Sequence, residues 1–454
     1  VMDILALLRK YDVPGPRYTS YPTVPAWKTV VGPDDFVRSL GSLKAGAPLS
    51  LYNHLPFCEN LCHFCGCMQV ITKRHGRSEE YTRVLIQEIK RVVASLPEGC
   101  RGVNQLHFGG GTPNFFRPEE MEEIMGTFRR HFQILPDAEI GVEMHPKSST
   151  SPFCRALKQL GFNRISLGVQ DFDPYVQQLI SRNQTYEVTR DMVEELRGLG
   201  FRHFNFDLIY GLPGQSLEGF RKTLDLVLGL RPDRLAVYSY AHVPWVRPVQ
   251  RSFKDEDIPP PEMKLKLFEL AYQFLLANGY QLIGMDHFAR ADDELAVAQR
   301  QKTLQRNFQG YSTRGGSDIY AFGMSSISQA DGIYWQNEKE LPEYYAAVDE
   351  GRWAIARGYV LNEDDHLRRQ TIMRVMCDLG LDYADMSKKL GVNFTDYFAG
   401  ELASFDEMEA DGLVKRSAAG LVVTDAGRLF IRNIAMRFDA YLRKQTERKF
   451  SRTI

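Results

Sequence analysis

Four of the chain's seven cysteines, Cys58, Cys62, Cys65 and Cys67, fall within the stretch NHLPFCENLCHFCGCMQV (53–70). A secreted disulfide framework would spread its cysteines in pairs. An odd total with four clustered reads instead as a metal-binding or catalytic loop in a reducing compartment. The other three, Cys100, Cys154 and Cys377, lie far apart and are expected to be inert packing residues. The clustered spacing, Cys-x3-Cys-x2-Cys-x-Cys, follows directly on the apolar run LSLYNHL (49–55).

That run is the first of six short apolar segments. The others are VNQLHF (103–108), EIGVEM (139–144), RISLGV (164–169), FNFDLIY (204–210) and RLAVYSY (234–240). Stretches of helical periodicity such as EEYTRVLIQEIKRVVASL and PEEMEEIMGTFRRHF separate them. Strand following helix in this way predicts βαβ units, a parallel sheet and an α/β fold, a partial (β/α)6 TIM-like barrel. Loops at the carboxyl ends of such strands build active sites, and the cysteines occupy the first of them. Residues 1–47 read as an N-terminal extension with an ordered Pro/Gly/Tyr-rich loop, 48–300 as the barrel and 301–344 as a connecting segment. Residues 345–454 read as a mostly helical, winged-helix-like domain. A DNA-binding wing is conceivable there, but no dense basic stripe accompanies it, so a structural cap is the better reading. A net charge of −1 gives no global field for nucleic acid or an anionic membrane. No apolar run reaches the roughly 20 residues of a membrane span, and the first residues lack a signal peptide's apolar core, so a cytoplasmic location is expected.

Two metals compete for the thiols. Structural zinc usually draws on two separated Cys-x2–4-Cys pairs, and here all four cysteines share one loop. An iron–sulfur cluster places its irons at separate corners of a cube, three of which one loop can reach, leaving a coordination position open. The residues by themselves leave both open. HFGGGTP (107–113) and DLIYGLPGQS (207–216) each end a predicted strand in a glycine turn, where backbone can approach a ligand closely. Neither has the spacing of a dinucleotide or phosphate loop.

Cys-x3-Cys-x2-Cys with Phe64 before the third cysteine resembles the cluster loop of the radical S-adenosylmethionine enzymes. Over the whole chain, PGPRYTSYPT, YNHLPFCENLCHFCGC, LHFGGGTP, GVQDF, DLIYGLPGQ, GMDHFARADDELAVAQR, RNFQGYST and the terminal RNIAMRFDAYLRK with FSRTI resemble the oxygen-independent coproporphyrinogen III oxidase family. The resemblance implies a radical S-adenosylmethionine barrel. It implies that Cys58, Cys62 and Cys65 ligate three irons of a [4Fe–4S] cluster, with S-adenosylmethionine on the fourth and Cys67 a non-ligand. A second S-adenosylmethionine is implied nearby. Residues matching the family's cofactor-binding positions are Tyr52, Phe64, Gly110, Gly111, Thr112, Glu143, Gln170, Arg182, Asp207, Ala241 and Ile327. Carboxylates can accept from an ammonium or a ribose, and a guanidinium can grip a carboxylate in a fork.

The implied substrate is coproporphyrinogen III, two of whose propionates become vinyl groups in the route to heme, giving protoporphyrinogen IX through a 5′-deoxyadenosyl radical. The implied protein is a monomer working with an electron donor and an electron acceptor that the residues do not identify. His54, beside the cluster loop, and Arg17, Tyr18, Tyr21, His287 and Arg290 are candidates to close over or bind the substrate; packing between domains is the competing reading for the last five. One departure stands out. The family commonly has Glu-Val-Asp-Pro-Arg where this chain has Glu143-Met144-His145-Pro146-Lys147, and lysine cannot reproduce a guanidinium fork. That keeps a related radical methyltransferase or heme-modifying enzyme as the alternative. A non-catalytic heme chaperone is a further one, although its branch typically has Cys-Asp-Phe in place of Cys65-Gly66-Cys67.

Overall fold

The computed structural model describes residues 4–27, 31–245, 247–330, 332–442 and 450. The FSRTI stretch beyond Phe450, and the parts of the N-terminal extension at 1–3 and 28–30, lie outside them. By internal packing the chain divides into two compact units. One comprises Lys28–Pro260 with Gly316–Val360, the other Val1–Trp27 with Pro261–Gly315 and Leu361–Ile454.

In the first unit all six expected strands form: β1 Leu49–Leu55, β2 Gly102–Gly110, β3 Gln133–Met144, β4 Arg164–Gln170, β5 His203–Tyr210 and β6 Arg234–Ser239. Each pairs in parallel with the next. Helices α1 Gly76–Ser95, α2 Pro118–His131, α3 Ser151–Gln159, α4 Tyr186–Gly198 and α5 Leu217–Gly229 make the crossovers. Such a sheet is covered on both faces, which is why its strands read as apolar runs; Leu49, Leu51, Leu55, Leu106 and Phe108 are fully buried. The helix starts are written locally. Pro118 opens α2 and the Glu120 carboxylate accepts the Arg117 amide at 2.7 Å, while Ser216 Oγ accepts the Gly219 amide at 3.1 Å ahead of α5.

The free edge of β1 is also paired. β7 Asp318–Phe322 lies parallel to it, and an antiparallel meander of β8 Ile327–Ala330, β9 Ile333–Asn337 and β10 Ile355–Val360 continues outward. Part of the segment read as a connector thus supplies sheet strands. The buried carboxylate of Glu88 on α1 fastens this extension, accepting from Gly323 N at 2.7 Å, Asn337 Nδ2 at 2.5 Å and Tyr344 Oη at 2.7 Å.

The second unit holds the helix Pro261–Ala277, the hairpin Tyr280–Gly284/His287–Arg290, and the helices Glu363–Asp378 and Tyr383–Leu390. A three-stranded antiparallel sheet of Gly380–Asp382, Gly420–Val423 and Val414–Arg416 accompanies these helices. The N-terminal loop is held from within the same unit. Arg432 donates to the Gly15 and Pro16 carbonyls, Tyr18 Oη donates to Asp439 at 2.9 Å, Tyr21 Oη accepts from Ala440 N at 3.1 Å, and Arg17 pairs with Asp286. Among the described residues no helix is long and apolar enough to cross a membrane.

Candidate active site

Beyond β1 the chain enters a two-residue strand, Phe57–Cys58, that pairs in parallel with Val70–Ile71. Val70 N bonds the Pro56 carbonyl at 2.8 Å and Thr72 N bonds the Cys58 carbonyl at 2.9 Å, so the segment between them is closed into a loop. Phe64 anchors it by packing against the buried cluster of Val176, Ile180, Ile209, Leu212, Tyr240 and Phe253. His63 N donates to the Ile180 carbonyl at 3.0 Å, and the Arg247 guanidinium donates to the carbonyls of Gly66 and Cys67. Cys58, Cys62, Cys65 and Cys67 then line one cleft.

The four thiols are not equivalent. Cys58 Sγ lies 3.2 Å from Thr112 Oγ1, and burial pushes its thiol up to about 11. Arg182 Nη1 donates to Cys62 Sγ at 3.5 Å. Cys65 is pulled down to about 6, chiefly by a hydrogen bond from Cys67, whose own thiol is raised by the same bond.

The glycine turn after β2 forms the adjacent wall. A Cβ on Gly109 would lie 2.8 Å from the Glu143 carboxyl, on Gly110 2.8 Å from the His54 ring, and on Gly111 2.5 Å from the Pro56 carbonyl oxygen. Gly110 also has φ +114°, a conformation side chains disfavour. The Pro56 backbone excludes a side chain at Gly111 and the positive φ disfavours one at Gly110, whereas at Gly109 a side chain would displace the end of Glu143. Gly110 N donates to Glu143 Oε2 at 3.2 Å, and His107 Nε2 lies 3.2 Å from Oε1. The cleft walls would raise the Glu143 carboxyl. The hydrogen bond and charge of His107, with the Gly110 amide, outweigh that and hold it below the usual range. Tyr52 stacks on His107 with ring centroids 6.0 Å apart and reaches His54 Nδ1 at 3.3 Å. His54 is buried, held neutral by burial, and its Nε2 bonds the Met68 carbonyl at 2.8 Å.

Opposite lies the end of β4. Gln170 has φ 66°, and its buried Oε1 has no partner among the described residues. Arg182 is buried, donates to the Gly168 carbonyl and sits 5.8 Å over the Phe64 ring. A Cβ on Gly168 would stand 2.7 Å from Arg182 Nη2 and displace that guanidinium. Asp207, bonded by Asn205 Nδ2 at 2.9 Å, completes this wall. Thus Gly110, Gly111, Thr112, Glu143, Gln170, Arg182 and Asp207 meet the cysteines in one cleft. Ala241 lies in the loop beyond β6, where its carbonyl accepts from Gln250 Nε2, and Ile327 opens β8; neither lines the cleft. Arg17, Tyr18, Tyr21, His287 and Arg290 belong to the second unit, where His287 Nδ1 lies 2.7 Å from Asp286 and Arg290 is exposed beside Asp292.

Residues at and behind the cleft wall escaped the sequence reading. His107 lies beside Glu143, and Gly168 leaves room for Arg182. HFGGGTP contains the histidine, but only the register of β2 on β3 shows that it faces the carboxylate. His145, noted only as a departure, lines the cleft, whereas Lys147 is exposed. The His145 backbone is clamped by Asn114 at both its N–H (3.0 Å) and its carbonyl (2.9 Å). Its Nδ1 accepts the Lys147 amide at 3.2 Å, so Nε2 carries the proton, and burial with the nearby Arg182 charge holds the ring neutral, down to about 2. The lysine contributes its backbone amide there.

Four thiols lining one cleft, carboxylates for an ammonium or hydroxyls, a guanidinium for a carboxylate, an unpartnered buried amide oxygen and close-set glycines are a donor set that fits an iron–sulfur cluster with a charged, ribose-bearing ligand. Comparison with known proteins agrees with that donor set. The radical SAM superfamily model matches residues 52–227 and the HemN C-terminal domain model residues 361–430. Proteins named oxygen-independent coproporphyrinogen III oxidase from Pseudomonas aeruginosa and Escherichia coli are each 46% identical over 451 residues, covering 99% of this chain and 98% of theirs. A solved structure described as coproporphyrinogen III oxidase (HemN) from Escherichia coli, a radical SAM enzyme, superposes with a TM-score of 0.92 at 43% identity, covering 96% of this chain and 98% of that one.

Proposed function

The chain belongs to the oxygen-independent coproporphyrinogen III oxidase family of radical S-adenosylmethionine enzymes, and from that membership we propose that it converts two propionate side chains of coproporphyrinogen III to vinyl groups, giving protoporphyrinogen IX. Cys58, Cys62 and Cys65 would hold the [4Fe–4S] cluster, which with bound S-adenosylmethionine supplies a 5′-deoxyadenosyl radical by one-electron cleavage of the sulfonium. Glu143, kept ionised by His107 and the Gly110 amide, accepts from the methionyl ammonium. Arg182 receives the carboxylate, and Asp207 and Gln170 accept from the ribose or the amine. The proposal includes a second S-adenosylmethionine, to which Ala241 and Ile327 are assigned. It assigns Arg17, Tyr18, His287 and Arg290 to the substrate, guanidinium being suited to propionate. It also takes the protein to act as a monomer in the cytoplasm, where thiols stay reduced.

The observation that carries the reading is the convergence of the three cysteines, the glycine turn, Glu143 and Arg182 on one cleft in a chain of full-length family identity. Anaerobic incubation of reconstituted protein with S-adenosylmethionine, reductant, an electron acceptor and coproporphyrinogen III tests it. Two carbon dioxides and one divinyl product per porphyrinogen are expected. Methionine and 5′-deoxyadenosine formed without any vinyl product would mean that the substrate is wrong.

A further inference from the structure

The proposed reaction consumes one electron at the cluster for each S-adenosylmethionine cleaved, so a reductant must reach the cluster from outside. Resting on that reading, one surface is built for such a visitor. The strand Val70–Ile71 is the immediate neighbour of Phe57–Cys58, with Ile71 in register with Cys58, and the Thr72 amide bonds the carbonyl of Cys58 itself. Among the described residues no third strand pairs with this two-stranded sheet, and Ile71 is 42% exposed. The residues that follow, Lys73, Arg74, His75 and Arg77, are all exposed.

Their charge is local, since the chain as a whole is balanced at −1. Basic side chains outnumber acidic ones in this patch. Glu59 faces His75 at 3.3 Å, Glu79 is held by Arg117 at 2.6 Å, and Glu80 lies beside Arg83, which Asp349 binds at 2.8 Å. Arg77 stacks 5.8 Å over the Phe57 ring. No acidic side chain pairs with Lys73 or Arg74 among the described residues. An exposed apolar residue ringed by unpaired cations, hydrogen-bonded through one strand to a cluster cysteine, matches the rim and centre of a transient redox interface.

We propose that Ile71, Lys73, Arg74 and Arg77 form the docking surface for a small acidic one-electron carrier protein, which passes its electron to the cluster past Cys58. The carrier is oxidised by one electron, the cluster is reduced by one, and that electron is the one spent on the carbon–sulfur bond. Positive charge beside the cluster speeds encounter with an acidic partner and makes the rate fall with salt.

The test uses the reconstituted holoprotein, with a purified flavodoxin in its hydroquinone state as the acidic carrier and dithionite as a small reductant that needs no docking. Two quantities are read: the dissociation constant for flavodoxin, and the rate of cluster bleaching by each reductant. The double variant Lys73→Glu/Arg74→Glu should raise the dissociation constant and slow flavodoxin reduction by about tenfold or more at low salt, a typical scale for electrostatic steering. It should abolish the salt dependence and leave dithionite reduction unchanged. Lys73→Gln/Arg74→Gln should fall between, and Lys90→Glu/Arg130→Glu, the same charge change on exposed helix positions, should behave as wild type. Unchanged flavodoxin binding in the first variant overturns the proposal, as does an equal slowing by both reductants or a salt-independent wild type. None of these readouts involves porphyrinogen, so failure of the turnover assay alone would overturn the substrate reading and leave this surface standing.

Discussion

Replacing Gly111 by alanine should uncouple the glycine turn from the cluster loop. Its Cβ would stand 2.5 Å from the Pro56 oxygen and 2.6 Å from the Pro56 carbonyl carbon, both backbone, where ordinary contact begins at 3.4 Å. Relief therefore requires a separation of about 0.9 Å between the turn and the segment leading to Cys58. Two hydrogen bonds span that gap, Gly111 N to the Leu55 carbonyl at 2.8 Å and Thr112 N to the Phe57 carbonyl at 2.9 Å. Lengthened by about 0.9 Å, both would pass beyond useful range. At roughly 1–2 kcal/mol for each buried group left unsatisfied, the local cost is about 3 kcal/mol, equivalent to about a hundredfold in binding. Gly109→Ala is the matched control, because its Cβ meets only the movable end of Glu143. Iron per chain after anaerobic reconstitution, and the S-adenosylmethionine dissociation constant from equilibrium dialysis, separate the two. Gly111→Ala should lose iron and bind about a hundredfold more weakly. Gly109→Ala should retain iron and bind about tenfold more weakly, through displacement of Glu143 alone. Wild-type iron and affinity in Gly111→Ala, or iron loss in Gly109→Ala equal to that in Gly111→Ala, would refute the steric reasoning.

Cys67→Ser should assemble four irons per chain and Cys65→Ser should not; comparable loss in both, by iron analysis and cluster absorbance, would make Cys67 a ligand after all. His107→Ala removes what opposes burial at Glu143. A carboxyl depressed in the folded protein keeps its charge above its ordinary pKa and loses it as pH falls through the depressed value. S-adenosylmethionine affinity should accordingly hold as wild type is acidified from about pH 8 to pH 5, and should begin to fall at higher pH in the variant. Glu88→Leu leaves the Gly323 amide, the Asn337 amide and the Tyr344 hydroxyl without their acceptor, a cost of about 3 kcal/mol that thermal unfolding should register, with Glu88→Gln milder. Burial raises the Glu88 carboxyl, so its contribution is greatest below its ordinary pKa and declines as pH rises toward the raised one; Glu88→Gln should remove that slope.

Local information reaches a definite limit in this chain. A buried parallel strand needs apolar side chains on both faces, so β1 to β6 are written in their own residues. The cysteine loop is equally legible, because thiols that reach one cleft from a single loop lie close in sequence. Glu143, Gln170 and Asp207 sit at successive strand ends, where the alternation of strand and helix already implied a common face. Pairing between distant segments is different. Nothing within Asp318–Phe322 says that it closes on β1, since a short apolar strand carries no mark of its partner. The same holds for His107 against Glu143, fixed by the register of β2 on β3, and for Asn114 clamping His145. The sequence by itself determined the clustered thiols and the barrel; only the tertiary structure decided that Cys65 and Cys67 share a hydrogen bond, that backbone and a positive φ exclude side chains at 111 and 110, and that Ile71 and its cations stand one strand from Cys58. Hydrogen bonds, steric gaps and solvent exposure are properties of residues brought together from afar, and a linear pattern does not contain them.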